Sequence, residues 1–284
     1  MVNDLKNPLS QYFRGTSTFI KLPSCGFYNN PDDIQTSVDG EVEIFAMTTA
    51  DELLFKSPDA LLNGESVAKV IQSCVPGIKD VYSLPTPDIE VLLLAIRMAT
   101  YDNQIDFSAE CPKCNHIQDF GLDINWLLAN LTVLEPNAHI TLDNGLIVYV
   151  KPYTYMSSVK AALLSFNEGK FLQMLLEDDL TDEEKSAKAS ASYVKAVNLI
   201  IELLANSIVN IKDEKGNLIT DDPKFILDWL NNISRKDTKL IEDKIKDLNN
   251  KGIPKEIEIE CDSCKNVWKP AINIDPSHFF EQSS

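Results

Sequence analysis

QIDFSAECPKCNHIQDFGLDI, residues 104–124, and EIEIECDSCKNVWKPAINI, residues 256–274, decide how this chain is read. Each passage sets a Cys-x-x-Cys pair between two runs in which apolar and polar residues alternate. Cys111 and Cys114 follow the run from Gln104 to Ala109 and precede Ile117 to Ile124. Cys261 and Cys264 follow Glu256 to Glu260 and precede Val267 to Ile274. A period of two marks a half-buried strand, so each passage predicts a β-hairpin with two thiols at its turn. Zinc takes four thiolates at about 2.3 Å in a tetrahedron, and a two-residue gap lets one turn present two sulfurs. The sequence therefore writes half of a four-thiolate site twice. The expectation is one structural Zn2+ on Cys111, Cys114, Cys261 and Cys264, pinning two distant segments together.

Lys113 and Lys265 bring positive charge to thiolates that would otherwise leave the site dianionic. Two other readings stand beside this one. The turns could be unrelated, with cysteines that never meet. A thioredoxin-like redox pair is less suitable, because neither Cys-x-x-Cys opens an evident helix after a strand. His116 lies two residues after Cys114. It could replace a cysteine, donate a hydrogen bond to a sulfur, or be a partly exposed turn histidine. A site with four cysteines is coordinatively closed, which points to structure rather than catalysis.

Charge narrows the partners. The chain has 284 residues, with 43 acidic against 26 basic, for a net charge of −17. Such a field repels phosphate backbones, so no nucleic acid is expected as a partner. The acidity serves solubility, or it forms a face that docks on a basic protein. No run reaches the ~18 apolar residues that span a bilayer, so no membrane is expected either. The opening Met1-Val2-Asn3-Asp4-Leu5-Lys6 has no apolar signal core, and a reducing cytoplasm is the expected compartment. Cys25 and Cys74 lack partner spacing and read as structural residues.

The remaining text gives the organisation. Residues 1–40 lack periodicity and read as an extended arm, lying along a neighbour or covering this chain's own core. Val42 to Met47 reads as a short strand. Thr49 is the expected cap of a helix with Glu52 three residues on. Short helices follow at Asp59 to Leu62 and Glu65 to Cys74. From Asp88 a more strongly apolar helix, with Ile89, Leu92, Leu93, Ile96 and Ala99 on one face, leads to Tyr101 and the first thiol pair. Ile140 to Val150 is a hairpin around Asn144-Gly145. Tyr155 to Leu176 reads as a helix with a weak point at Asn167-Glu168-Gly169. Thr181-Asp182-Glu183-Glu184 is a capping box opening another helix, through Ser207. A hairpin around Lys215-Gly216-Asn217 and two helices, after Asp222-Pro223 and over 234–248, complete the insertion.

Catalytic equipment is scarce. No phosphate-cradling glycine loop, nucleophile elbow or metalloprotease motif is present. The run from Asp178 to Glu184 lacks the glycine and spacing of a calcium loop. His139 and His278 have no carboxylate or nucleophile at a telling distance and read as surface residues. No catalytic residue is assigned, and the protein is not expected to be an enzyme.

Met47-Thr48-Thr49-Ala50-Asp51-Glu52, Pro58-Asp59-Ala60-Leu61-Leu62-Asn63-Gly64, Ser73-Cys74-Val75-Pro76, the helix from Asp88 to Tyr101 and then Cys-Pro-x-Cys follow one another in a telling order. In this order they resemble the baseplate hub proteins of T4-like contractile-tailed bacteriophages. The likeness is best over residues 41–125 and 255–280. It implies a role in assembling the central hub, as a component or as an assembly factor. It brings no catalytic residues, and the matching thiols are Cys111, Cys114, Cys261 and Cys264.

The fold expected is α+β, a zinc-ribbon-like pair of β-hairpins with a helical insertion and a helical N-terminal part. The expected divisions are 1–40, the arm; 41–138, helices plus the first thiol hairpin; 139–252, the insertion; and 253–284, the second thiol hairpin and tail. The expected function is structural or assembly work in a baseplate hub, through contacts with other phage baseplate or tail proteins, with a homo-oligomer possible. The expected place is the host cytoplasm during assembly and then the virion tail. The alternatives are a transient tail assembly chaperone absent from the mature virion, a nucleic-acid-binding zinc ribbon protein, and a zinc enzyme with an open coordination position.

Overall fold

The chain's architecture starts from one helix that is enclosed along most of its length. The computed structural model describes residues 7–177 and 181–272. The first sheet pairs β1 (Thr16–Lys21) antiparallel with β2 (Glu41–Phe45), Ile20 opposite Val42. Three short helices follow: α1 (Thr49–Leu54), α2 (Pro58–Leu62) and α3 (Glu65–Cys74). They wrap α4 (Thr86–Thr100), in which Val91, Leu92, Leu94, Ala95 and Ile96 have no exposed surface. A helix with so wide an apolar surface must be enclosed, and α4 forms the centre of the first core.

One cap differs from the sequence reading, and the choice it left open for the leading segment is decided. Thr48, not Thr49, caps α1. Its hydroxyl accepts the Asp51 N–H at 3.3 Å, and the Asp51 carboxylate accepts the Thr48 N–H at 2.7 Å. The segment over 1–40 is extended in part, but its described residues are not detached. Ile20, Leu22 and Ile34 are buried in the first core. The Arg14 guanidinium donates to the Ser73 carbonyl at 2.8 Å and the Ser73 hydroxyl at 2.7 Å, and lies 3.2 Å from the Asp51 carboxylate. The apolar run around Phe19 is too short to reveal a strand when its partner lies beyond an irregular loop.

Next come β3 (Gln104–Glu110), β4 (Ile117–Asp123) and α5 (Ile124–Ala129). The alternating run expected through Ile124 stops one residue earlier. The Asp123 carboxylate accepts the Asn125 N–H at 2.9 Å and starts a helix there. Ile105, Phe107, Leu122 and Ile124 pack on the first core, which anchors the first thiol hairpin.

A four-stranded antiparallel sheet, ordered β5-β6-β7-β8, organises the insertion. Its strands are β5 (His139–Thr141), β6 (Ile147–Val150), β7 (Ile208–Lys212) and β8 (Leu218–Thr220). The long helices α6 (Tyr155–Glu177) and α7 (Asp182–Asn206) are inserted between neighbouring strands β6 and β7. The expected weak point at Gly169 lies within α6, which runs on through it. Helices α8 (Pro223–Asn232) and α9 (Arg235–Asn249) enclose the second core, with Val148, Ile211, Ile226, Ile241 and Ile245 among its buried members. Among the described residues, no helix is long and apolar enough to cross a membrane.

The chain returns to the first core at Gly252. This residue exchanges backbone hydrogen bonds with Thr132 at 2.8 and 2.9 Å. Its φ is +90°, and a Cβ would sit 3.1 Å from Pro87 Cβ, so glycine is required there. The last hairpin, β9 (Ile259–Glu260) with β10 (Val267–Trp268), is short but is extended by a bridge between Glu256 and Ala271. Residues beyond 272, including Ile274 and His278, lie outside the described part of the chain.

Candidate metal centre

Each thiol pair is held by the same local bonding. In the first turn the Cys111 N–H donates to the His116 carbonyl, and the Asn115 N–H donates to the Cys111 carbonyl, both at 2.9 Å. In the second turn the Cys261 N–H donates to Asn266 and the Lys265 N–H to Cys261, again at 2.9 Å. Asn115 and Lys265 occupy the same left-handed conformation, with φ of 56° and 57°. The flanking registers also match. Glu110 pairs with Ile117 in one hairpin and Glu260 with Val267 in the other. Two stretches remote in sequence thus make one structural unit twice, because each alternating run closes on the same six-residue turn.

The two turns face each other. Cys111 Sγ lies 3.7 Å from Cys264 Sγ, and Cys114 Sγ lies 3.6 Å from Cys261 Sγ. All four sulfurs lie within 4.8 Å of one another. The edge of a tetrahedron with 2.3 Å metal–sulfur bonds is about 3.8 Å, so the observed crosswise pairs fit one small cation. A disulfide needs about 2.05 Å, and all four cysteines are free thiols. Cys111 and Cys261 are fully buried, Cys264 is half-buried and Cys114 is exposed. The alternative of unrelated turns with dispersed cysteines is thereby set aside.

Charge explains why such a cluster wants a cation. Desolvation raises the Cys111 thiol, but the N–H groups of Lys113 and Cys114 and the sulfurs of Cys264 and Cys114 bring it down to about 6. The His116 N–H lowers the Cys114 thiol, yet the sulfurs of Cys264, Cys261 and Cys111, with desolvation, push it up to about 12. One thiolate forms readily and another is strongly resisted. Negative charge confined among four sulfurs is relieved by a bound metal.

Convergence depends on contacts away from the thiols. The Gln118 side chain, on β4, donates to the Glu260 carbonyl at 3.1 Å and accepts the Asp262 N–H at 2.9 Å. One amide therefore grips the second turn on both sides of Cys261. Phe120 meets Trp268 edge-on at 6.2 Å and stacks on Phe107 at 5.5 Å. Lys255 pairs with Glu90 on α4, and Ile257 and Ile272 pack on the first core. Both hairpins thus rest on the same helix-centred body. Local spacing gave no sign of Gln118, because its partners are distant in sequence.

The other residues singled out fall elsewhere. His116 is exposed and serves the first turn through its backbone; the cluster found among the described residues consists of the four cysteines. Lys265 lies 3.2 Å from Glu260, and Lys113 is exposed. His139 is exposed and lies against Tyr149. Cys74 is buried beside Arg14, whereas Cys25 is exposed in a turn with φ of 49°.

A family model described as T4 bacteriophage base plate protein matches residues 33–281, most of the chain. No curated protein and no solved structure matches it.

Proposed function

We propose that this chain, which belongs to the T4 bacteriophage base plate protein family, is a zinc-stabilised structural or assembly component of the baseplate hub. Membership of the family gives a role in the baseplate among other tail proteins. The hub is the narrower reading, supported by the ordered motifs from Met47 to Cys114. Zinc is favoured by the donor set: four sulfurs with edges near 3.7 Å suit a tetrahedral, borderline-soft ion. On this reading Cys111, Cys114, Cys261 and Cys264 are the ligands, and the paired hairpins form a zinc-ribbon-like clasp.

The clasp performs no reaction. Four thiolates leave no open coordination position for water or substrate. Its work is mechanical. It joins the chain before and after the insertion, so the sheet and helices between are presented from a fixed base. The single observation that carries this reading is the crosswise meeting of the four sulfurs within the residues that the family model matches.

Two measurements test it. Elemental analysis of the purified protein is expected to give one zinc per chain; another metal would keep the clasp and refute zinc, and no metal would remove the clasp. Quantitative mass spectrometry of purified particles, and of their central hub, is expected to find the chain at fixed stoichiometry. Its absence from particles, with presence in assembly intermediates, would establish the transient chaperone role instead.

A further inference from the structure

The four-stranded sheet ends in a three-residue strand with exposed apolar side chains. β8 closes the order β5-β6-β7-β8, and among the described residues no strand pairs with its outer side. Natural edges are commonly blunted by shortness, bulges, lysine, proline or a covering segment; β8 is short and its pairing with β7 is irregular, but it carries neither lysine nor proline. β8 reads Leu218-Ile219-Thr220, and Leu218 and Ile219 are 56% and 55% exposed. Beside it the second core opens to solvent. A cleft of about 320 Å³ is lined by Leu146, Ile211, Ile219, Thr220, Phe225 and Trp229. Ile211 belongs to that core, and Phe225 on α8 is 66% exposed. An apolar floor thus runs from the buried interior to an open backbone edge.

The rim of this cleft is acidic. Glu214, Asp221, Asp222 and Asp228 are exposed around β8 and α8. The lysines nearby are fewer than the carboxylates: Lys236 pairs with Asp143, and Lys212, Lys215 and Lys224 stand against the four acidic groups. A second copy would bring the same acidic rim against this one, in a chain that already carries −17. Like charges so placed oppose self-association.

We propose that β8 and its cleft dock an extended segment of a partner protein in which large apolar residues alternate with lysine or arginine. This rests on the reading of the chain as a component that acts through protein contacts, and it names where one contact is made. The segment adds to the sheet as a further strand. Backbone hydrogen bonds to β8 supply affinity, an apolar side chain enters the cleft, and basic side chains meet the rim. Alternation is required because successive side chains of a strand point to opposite faces.

The test uses the intact zinc-loaded protein and a capped nine-residue peptide alternating lysine with valine, with phenylalanine at its centre. Amide and indole signals are followed by NMR. Shifts are expected at Leu218 to Thr220 and at the Trp229 indole. Affinity should fall at least tenfold when glutamate replaces lysine, and at least tenfold when alternate backbone nitrogens are methylated. Ile219→Ala and Phe225→Ala, both at exposed positions, should each weaken binding several-fold. If either variant misfolds, the methylated and glutamate peptides on the unaltered protein still decide. No shifts at these residues with millimolar peptide, indifference to methylation, or equal binding of the glutamate peptide would overturn the proposal. A dimer of the free protein built on β8 would overturn the choice of occupant. None of these results bears on zinc content or presence in particles, so the hub reading stands or falls separately.

Discussion

Replacing Gln118 by alanine separates the local making of a thiol pair from the meeting of two pairs. The substitution leaves all four cysteines and both turns intact. It removes the bonds to the Glu260 carbonyl and the Asp262 N–H, which bracket Cys261. Each neutral hydrogen bond contributes about 1 kcal/mol net, and water compensates part of it at an exposed position, so the loss should be about 1–2 kcal/mol. The strands of the second hairpin are only two residues each, Ile259–Glu260 and Val267–Trp268, so its placement should loosen without the metal. The bonds then form largely as the site closes, and the loss appears as zinc affinity weakened about 5- to 30-fold. Competition with a chromogenic chelator measures this, with thermal melting of the metal-free protein alongside. Gln118→Glu keeps an acceptor for Asp262, loses the donor to Glu260 and adds negative charge, so it should bind zinc more weakly than the unaltered chain. A dissociation constant for Gln118→Ala within twofold of the parent would refute this account of convergence.

Cys111→Ser and Cys261→Ser should each lose zinc and lower the melting temperature by similar amounts, since each removes one buried sulfur of the same cluster; loss in only one would mean the half-sites are not shared. Arg14→Ala should cost about 2–3 kcal/mol in urea unfolding, because it strips the bonds to Ser73 and leaves the buried Asp51 carboxylate without its cation. No change would return the leading segment to the status of a detached arm. Burial of Asp88 pushes its carboxyl up to about 6, against the lowering effect of hydrogen bonds from Ser24. The folded state then holds this proton more tightly than the unfolded one, so its contribution to stability falls as pH rises from about 4 to about 6 and is flat above. The stability of Asp88→Asn relative to the parent should therefore increase by about 2 kcal/mol between pH 4 and 7. Parallel pH profiles would show that Asp88 does not titrate in this way.

Much of the local structure was legible because its causes are local. The period-two runs around both thiol pairs, the glycine turn at Asn144-Gly145 and the apolar run in α4 each carry their own signal. Thr48 was missed as a cap for a narrow reason. Thr48 and Thr49 are adjacent, and only the reciprocal bond with Asp51 distinguishes them. β1 was missed for another reason, since only Ile20 of its six residues is buried and the run shows no alternation of apolar and polar residues. Arg14 was hidden because its partners Ser73 and Asp51 lie in other helices.

The sequence alone determined that each Cys-x-x-Cys would stand at the tip of a hairpin, because side-chain alternation and a tight turn act over a few residues. Only the tertiary structure decided that the two tips meet. Their approach is set by Gly252 against Thr132, Lys255 against Glu90 on α4, and the Gln118 amide across the gap. The same holds for the open edge of β8, where the cleft exists only once α8 lies beside the sheet. Bonding within a turn is fixed by neighbours in the chain, whereas the placement of turns and edges depends on contacts that form together as the cores close.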